Sequence, residues 1–318
     1  MKFNMYDAQQ ALGFLVSQTA HIETEVYEIQ YPDIQYPNLI PVDTSAAEWA
    51  KSITFYSMDK VGQADWFNHL SKDIPLADVE RAQHEHLIHM AAIGYRYTLE
   101  EIGQAQMVGQ PLTSDRAAAA YRAYEEFIDT RALTGDTQKN WTGLFNDANV
   151  TAVDAAEGAA SSTDWDDKTA DEIIKDVNDA LSGVYTESLT VEIADTVLLA
   201  VDRLNLISTK RVPDTNMTVL QYIMMHNVYT AVTGRPLTIR AVRGLETAGD
   251  GDTSRMVAYR RDPQVVKMHL PMPHRFLPVW QTGPLVFDIP GIFRFGGVEV
   301  RRPKAMRYVD GIGNVATA

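Results

Sequence analysis

The sequence predicts an α+β chain in which one domain is inserted into another. Three observations predict it. A single long amphipathic pattern, from Thr113 to Gly135, marks one dominant helix. The block from about 143 to 248 alternates helix and strand signals closely enough to form a compact unit. From Arg255 onward the chain turns rich in Pro, Gly, Arg and short β-type runs. Those last strands need partners, and the nearest candidates precede the long helix.

Bulk properties narrow the class. A chain of 318 residues fits about two domains. Hydrophobic residues at 45% and charged residues at 22% are ordinary for a globular protein with a sizeable core. There is no cysteine, which excludes disulfides, thiolate metal sites and cysteine nucleophiles. No run approaches the roughly 18–20 apolar residues of a membrane span. The start, MKFNMYDAQQALGFL, lacks a signal peptide's apolar core and cleavage site, so synthesis in a cytosol is expected. Net charge is −14 and uneven: residues 235–318 carry 13 basic and 7 acidic residues, so the remainder is strongly acidic. Such a chain is a poor general binder of nucleic-acid phosphates, and copies repel unless specific contacts intervene.

The elements follow in order. Ala11, Leu12, Leu15, Thr19 and Ile22 recur at helical spacing over about 7–27. Three prolines in YPDIQYPNLIP then predict an extended arm with no regular helix. Its Ile34, Tyr36, Leu39 and Ile40 are not spaced to build a core of their own. Residues 50–97 read as strands, with a turn or bulge at Gly62 and a break at Pro75. The ribbon has too few apolar residues to be a core hairpin, and two-stranded ribbons are marginal in water. It is therefore expected to pack on another molecule. Thr98 with Glu101 forms a capping box for the next helix. Thr113 or Ser114 is expected to cap the long helix. Its stripe is Ala117, Ala120, Tyr121, Tyr124, Phe127 and Ile128, and Gly135 closes it.

In the middle block, GLFNDANV is a short apolar run and KTADEIIKDVNDALSGVY a helix ending near Gly183. SLTVEIADTVLLAVDRLN reads as strand into helix, and PLTIRAVRGLE as a strand. TVLQYIMMHNVYTAVTG reads as one helix ended by Gly234, with Met224 and Met225 in the core.

Candidate chemistry is sparse. HEHLIHM places three of the chain's eight histidines within six residues. On a strand, His84 and His86 share one face and His89 takes the other, an awkward metal site. The HExxH spacing is absent, and a zinc site needs further ligands. His69, His226, His269 and His274 are available, but nothing points to any of them. A solvated or interface strand is the simpler reading. Asp164, Asp166, Asp167 and Asp171 lack the Gly and Glu of a calcium loop and suit a helix N-terminus. GDGDTS reads as a turn. The basic YRR and VRRP segments are expected to pair with the acidic bulk or a neighbouring copy. No Walker loop, dinucleotide fingerprint or nucleophile elbow occurs. No catalytic, cofactor or metal residue is assigned.

Four segments carry a family resemblance: GYRYTLEEIGQAQMVGQPL, AAAAYRAYEEFIDTRALTGD, WTGLFNDANV and FRFGGVEVRRPKAMRYVDGIG. Their order resembles the Hong Kong 97-type major capsid proteins of tailed bacteriophages. That family shows an aromatic–Thr–Leu/Glu start to a spine helix ending in GD, then a GLxN entry and a terminal P-x-A-M strand. The resemblance implies an N-terminal arm at 1–50 and an E-loop at 51–92. It further implies a peripheral domain at 93–142 and 249–311, and an axial domain at 143–248. It implies a non-enzymatic shell of hexamers and pentamers around double-stranded DNA. A portal protein and a separate scaffolding or decoration protein are the implied partners. Some relatives begin with a long scaffolding segment; here the arm is expected to start at once, which implies either a separate scaffolding protein or none. The implied location is the virion, made in the host cytoplasm. An encapsulin-like bacterial compartment is the alternative on the same fold, and a histidine-dependent metalloenzyme the alternative of another class. Candidate assembly contacts are Lys60, Trp66, Lys72, His84, His86, Arg301 and Arg302.

Overall fold

A computed structural model describes residues 32–61, 78–108 and 112–313 of the chain. The expected N-terminal helix at 7–27, the Gly62 turn and the Pro75 break lie outside those residues. The description below concerns the unit that begins at Ile34.

The chain enters with one helical turn, α1 (Tyr36–Leu39), although three prolines were expected to exclude a helix. The reason is tertiary. Pro37 sits in the first turn, where its missing N–H costs nothing, and Asp129 of the long helix accepts from Gln35 N (2.9 Å) and Tyr36 N (2.8 Å). A carboxylate nearly a hundred residues away thus supplies the cap. Tyr36, Leu39 and Ile40 are buried in the main core, so this part of the arm packs on its own chain.

β1 (Val42–Asp43) then precedes the ribbon of β2 (Ser52–Val61) and β3 (Asp78–Leu87). These two pair antiparallel throughout, from Ser52 opposite Leu87 to Val61 opposite Asp78. β4 (His89–Ala92) and β5 (Tyr95–Thr98) follow. The Thr98–Glu101 box starts α2 (Leu99–Val108): Glu101 accepts from Thr98 N at 3.0 Å, and Thr98 Oγ1 from Glu101 N at 3.3 Å. α3 (Leu112–Thr134) begins two or three residues earlier than a cap at Thr113 or Ser114 implies, with both residues inside its first turn. At 23 residues it spans about 35 Å. Ala120, Tyr124, Ile128 and Ala132 are buried at four-residue spacing, while Tyr121 faces out. Gly135 closes the helix at φ 78°.

The middle block holds β6 (Thr151–Asp154), α4 (Ala170–Glu187), β7 (Thr196–Leu199) and α5 (Val201–Thr209). It continues through α6 (Val219–Met225), α7 (Val228–Thr233) and β8 (Thr238–Ala241). A Thr169–Glu172 capping box starts α4, which buries Ile173, Val177, Ala180, Leu181 and Val184. The helix does not stop at Gly183. A side chain there would collide with the Arg307 guanidinium, so the glycine makes room for a neighbour. The single helix expected over 218–233 is two. Asn227 ends one and caps the next, donating from Nδ2 to Ile223 O (2.8 Å) and accepting from Thr230 N (2.7 Å). Met224 and Met225 are exposed rather than in the core.

The last third supplies β9 (Met256–Tyr259), β10 (Val266–His269), β11 (Met272–Phe276) and β12 (Trp280–Gly283). β13 (Val286–Ile289), β14 (Gly291–Phe295), β15 (Val298–Val300) and β16 (Met306–Asp310) complete it. These strands pair back across the chain. β13 joins β5, β14 joins β4, and β10 lies between β1 and β15. The five-stranded sheet runs β6-β16-β9-β7-β8. Its central strands β9 and β16 come from beyond residue 248, so the expected domain limit divides residues that share one sheet. One core packs α3 and the arm's turn against β10, β14 and β16; a second packs α4 to α7 on the other side of that sheet.

Candidate assembly surface

The β2–β3 ribbon is largely exposed. Asp78 to Glu85 are exposed without interruption, and Tyr56, Met58, Val79 and Leu87 present large apolar groups to solvent. Neither face has a core beneath it. Cross-strand pairs alone hold such a ribbon marginally.

Its base is a different environment. The strand breaks at Ile88, which is buried and donates to Lys51 O at 2.9 Å. The break overturns the simple alternation expected for the histidines: His86 and His89 both come to the Trp141 ring, at 6.4 and 5.2 Å between centroids. His84 stays exposed, stacked on Phe55 at 4.9 Å and 3.0 Å from Ser57 Oγ. Arg301 also lies over the Phe55 ring, its guanidinium 4.6 Å from the centroid. His86 is half-buried, and its Nε2–H donates to Gly296 O. Burial holds its imidazolium form down, so its pKa lies below the usual histidine value despite that carbonyl.

Behind His86 lies a charged cluster. His269 is fully buried 5.6 Å away, and its Nε2–H donates to Glu299 Oε2 at 2.6 Å. Its Nδ1 lies 3.7 Å from Asp43 Oδ2, and Lys267 pairs with Asp43 on the same side. Arg301 Nε donates to Glu299 at 3.2 Å. Burial pushes the Glu299 and Asp43 carboxyls up. The hydrogen bonds from His269 and from Lys267 and Ser45, respectively, outweigh it, so both sit below the ordinary carboxylate range. Neither His269 Nδ1 nor Glu299 Oε1 has a hydrogen-bond partner among the described residues.

The predicted contacts therefore divide. His84, His86 and Arg301 meet at the ribbon base. Arg302 turns away, to Glu192, where Arg260 also binds. Lys60 sits opposite Val79 near the far end of the ribbon. Trp66 and Lys72 lie outside the described residues. Sequence reading missed His269, Glu299, Asp43 and Trp141. One signal was available, the Gly296–Gly297 pair. A Cβ on Gly296 would press on His269, and Gly297, at φ 75°, packs against the Trp141 ring. Elsewhere Asp164 and Asp166 precede α4 and bind Arg203, at 2.9 and 2.8 Å, instead of capping a helix. No group of three or more metal-type ligands occurs among the described residues. No described helix is long and apolar enough to cross a membrane. A cleft of about 210 Å³ beside Asp154, Asp179 and Arg307 is smaller than a typical small-molecule site of ~300–1,000 Å³.

The described chain carries a largely exposed ribbon beside a long helix and strands drawn together from distant parts of the sequence. The family profile of the major capsid protein matches residues 62–312, well over half of the sequence. The chain belongs to the major capsid protein family and is a structural shell protein, and its fold is the Hong Kong 97-type fold of phage capsid chains. Among solved structures, the capsid of Myoviridae phage XM1 is similar at TM-score 0.77 and 19% identity, covering 93% of this chain and 97% of that one. A Mycobacterium phage Cain chain is similar at TM-score 0.60 and 13% identity over 100% of both. One from Mycobacterium phage Adephagia gives 0.59 and 13%, covering 98% of each. No curated protein sequence matches the chain.

Proposed function

We propose that the chain assembles into hexamers and pentamers of an icosahedral shell around double-stranded DNA, with no enzymatic role. The observation that carries this is the β2–β3 ribbon, ten residues per strand and exposed on both faces, in a chain of the capsid family. Among the described residues none covers the exposed Tyr56, Met58, Val79 and Leu87, and a neighbouring copy supplies that cover. The arm, E-loop, peripheral and axial regions keep their expected roles, with β9 and β16 added to the axial sheet. Lys60 and His84 are assembly contacts on the ribbon, and Trp66 and Lys72 are assembly contacts as well. The DNA is held without sequence readout, since the net charge of −14 disfavours phosphate binding. A portal protein and a separate scaffolding or decoration protein complete the virion. Electron microscopy of the purified full chain should show closed particles of uniform diameter. Hydrogen exchange should then slow across 52–61 and 78–87 relative to the unassembled chain. Chains that stay monomeric with a portal and scaffold present, or particles whose ribbon exchanges as fast as the free chain, would overturn the proposal.

A further inference from the structure

Three arginines among the described residues are more than nine-tenths buried: Arg203, Arg255 and Arg294. Two of them are answered by carboxylates. Arg203 donates to Asp164, and Arg255 donates to Asp310 through two nitrogens. Arg294 is the most buried of the three, at 7% exposed, and pairs with no carboxylate among the described residues. Its Nη1–H donates to the backbone oxygen of Glu48 at 3.3 Å, and its Nε–H meets no acceptor. The carboxylate of Glu48 goes instead to Arg275, at 3.1 Å. A guanidinium stays charged at every working pH, and a charge taken out of water without a counter-charge weakens the fold.

Local structure explains both the burial and the missing partner. On β14, Phe293 packs on Tyr124 of α3 and Phe295 on Trp141, so alternation along the strand sends Arg294 to the opposite face. Its register partners are Met90 on β4 and Met272 on β11, neither of which carries a charge. A turn over 47–50, closed by the Ala50 N–H on Ala47 O at 2.9 Å, puts the Trp49 ring 6.0 Å from the guanidinium carbon. Trp49 and Met90 themselves stand more than half exposed. Arginine, tryptophan and methionine together are the composition of an interface core.

We propose that Arg294 is a socket for a carboxylate of a second copy of this chain, with Trp49 and Met90 packing around the segment that brings it. Charge complementarity selects the partner: the chain carries −14, with its acids concentrated before residue 235, so a neighbouring copy offers carboxylates in excess. The incoming carboxylate takes the Nε–H that no acceptor holds, a charge-assisted bond shielded by the Trp49 ring. The turn that screens the guanidinium is tied down by a half-exposed Glu48–Arg275 pair, so it yields at little cost. The inference rests on the assembly reading for its partner and on Arg294 for its chemistry.

One substitution with two expected signs tests it, on the full chain at pH 7.5. Arg294→Met removes a buried charge that its own chain does not answer, so the urea midpoint of the unassembled chain should hold or rise. The same change should raise the protein concentration at which light scattering detects assembly about tenfold or more, the scale of one charge-assisted hydrogen bond. Arg294→Lys keeps the charge and lets a carbodiimide join it to a carboxylate in contact. In assemblies mixed from heavy- and light-isotope chains, peptides cross-linked at that position should pair heavy with light. A Met variant with a lower urea midpoint, a Met variant that assembles at the wild-type concentration, or cross-links that never pair heavy with light would each overturn the socket. So would phosphate that raises the urea midpoint of the wild-type chain alone while both chains assemble alike, since the occupant is then an anion from solution. The shell reading is scored apart. Closed particles that form equally well with Arg294→Met sink the socket only. Small open oligomers that weaken with Arg294→Met sink the shell only, and a chain that never associates sinks both.

Discussion

Arg255 shows how much one buried charge commits the fold. Its Nε and Nη2 donate to the two oxygens of Asp310 at 2.6 and 2.7 Å, and its Nη1 donates to Phe145 O at 2.6 Å. The guanidinium also lies 4.6 Å over the Tyr308 ring. Both side chains are nearly buried, so removing one partner strands the other. Arg255→Met is expected to lose about 3–5 kcal/mol. Urea unfolding measures it, and a change under about 1 kcal/mol would mean Asp310 finds water or another donor. The pair also explains why GLFNDANV sits where it does, since Leu144 and Phe145 are locked against β16 by this arginine and by Tyr308, whose hydroxyl donates to Leu144 O at 2.8 Å.

At the scale of elements, α3 is a scaffold on which other segments find their shape. α1 has one turn and no side-chain cap of its own; its first N–H groups end on Asp129. A four-residue helix has no stability in isolation. Asp129→Ala should therefore open 35–40 to exchange and cost about 1–2 kcal/mol, as a lost cap does. α3 itself should keep its protection. Loss of protection across α3 in the same experiment would show that the arm supports the helix instead. The α6–α7 break obeys the same logic, since Asn227 offers both ends of its amide to backbone groups that a continuous helix would pair internally.

For the whole molecule, charge sets the terms of assembly. The excess of basic residues after 235 might be supposed to attract the acidic remainder of another copy. Most of it is already spent within the chain on acids before 235: Arg260 and Arg302 on Glu192, Arg307 on Glu187, Lys267 on Asp43, Arg275 on Glu48. What copies present to each other is the net charge of −14. Repulsion over that surface is screened within ~10 Å at 0.1 M salt. Assembly followed by light scattering should thus begin at a lower protein concentration in 300 mM than in 20 mM salt, buffered at pH 7.5. The reverse order would show that ion pairs between copies dominate the interface.

The sequence by itself determined the fold class, the ribbon, the long helix with its Gly135 stop, the capping boxes, and the need of the late strands for early partners. Each is a local or periodic property, written in neighbours one to four residues apart. Tertiary structure alone decided the rest. It wound 36–39 into a helix by lending it Asp129, carried α4 past Gly183 to clear Arg307, left Met224 and Met225 in solvent, and drew β9 and β16 into the inserted block's sheet. It also gathered His86, His269, Glu299 and Asp43 from four strands into one cluster around the fully buried His269. These outcomes depend on groups tens to hundreds of residues apart meeting in a medium that excludes water. No spacing along the chain encodes such a meeting, because its energy exists only once the core has closed.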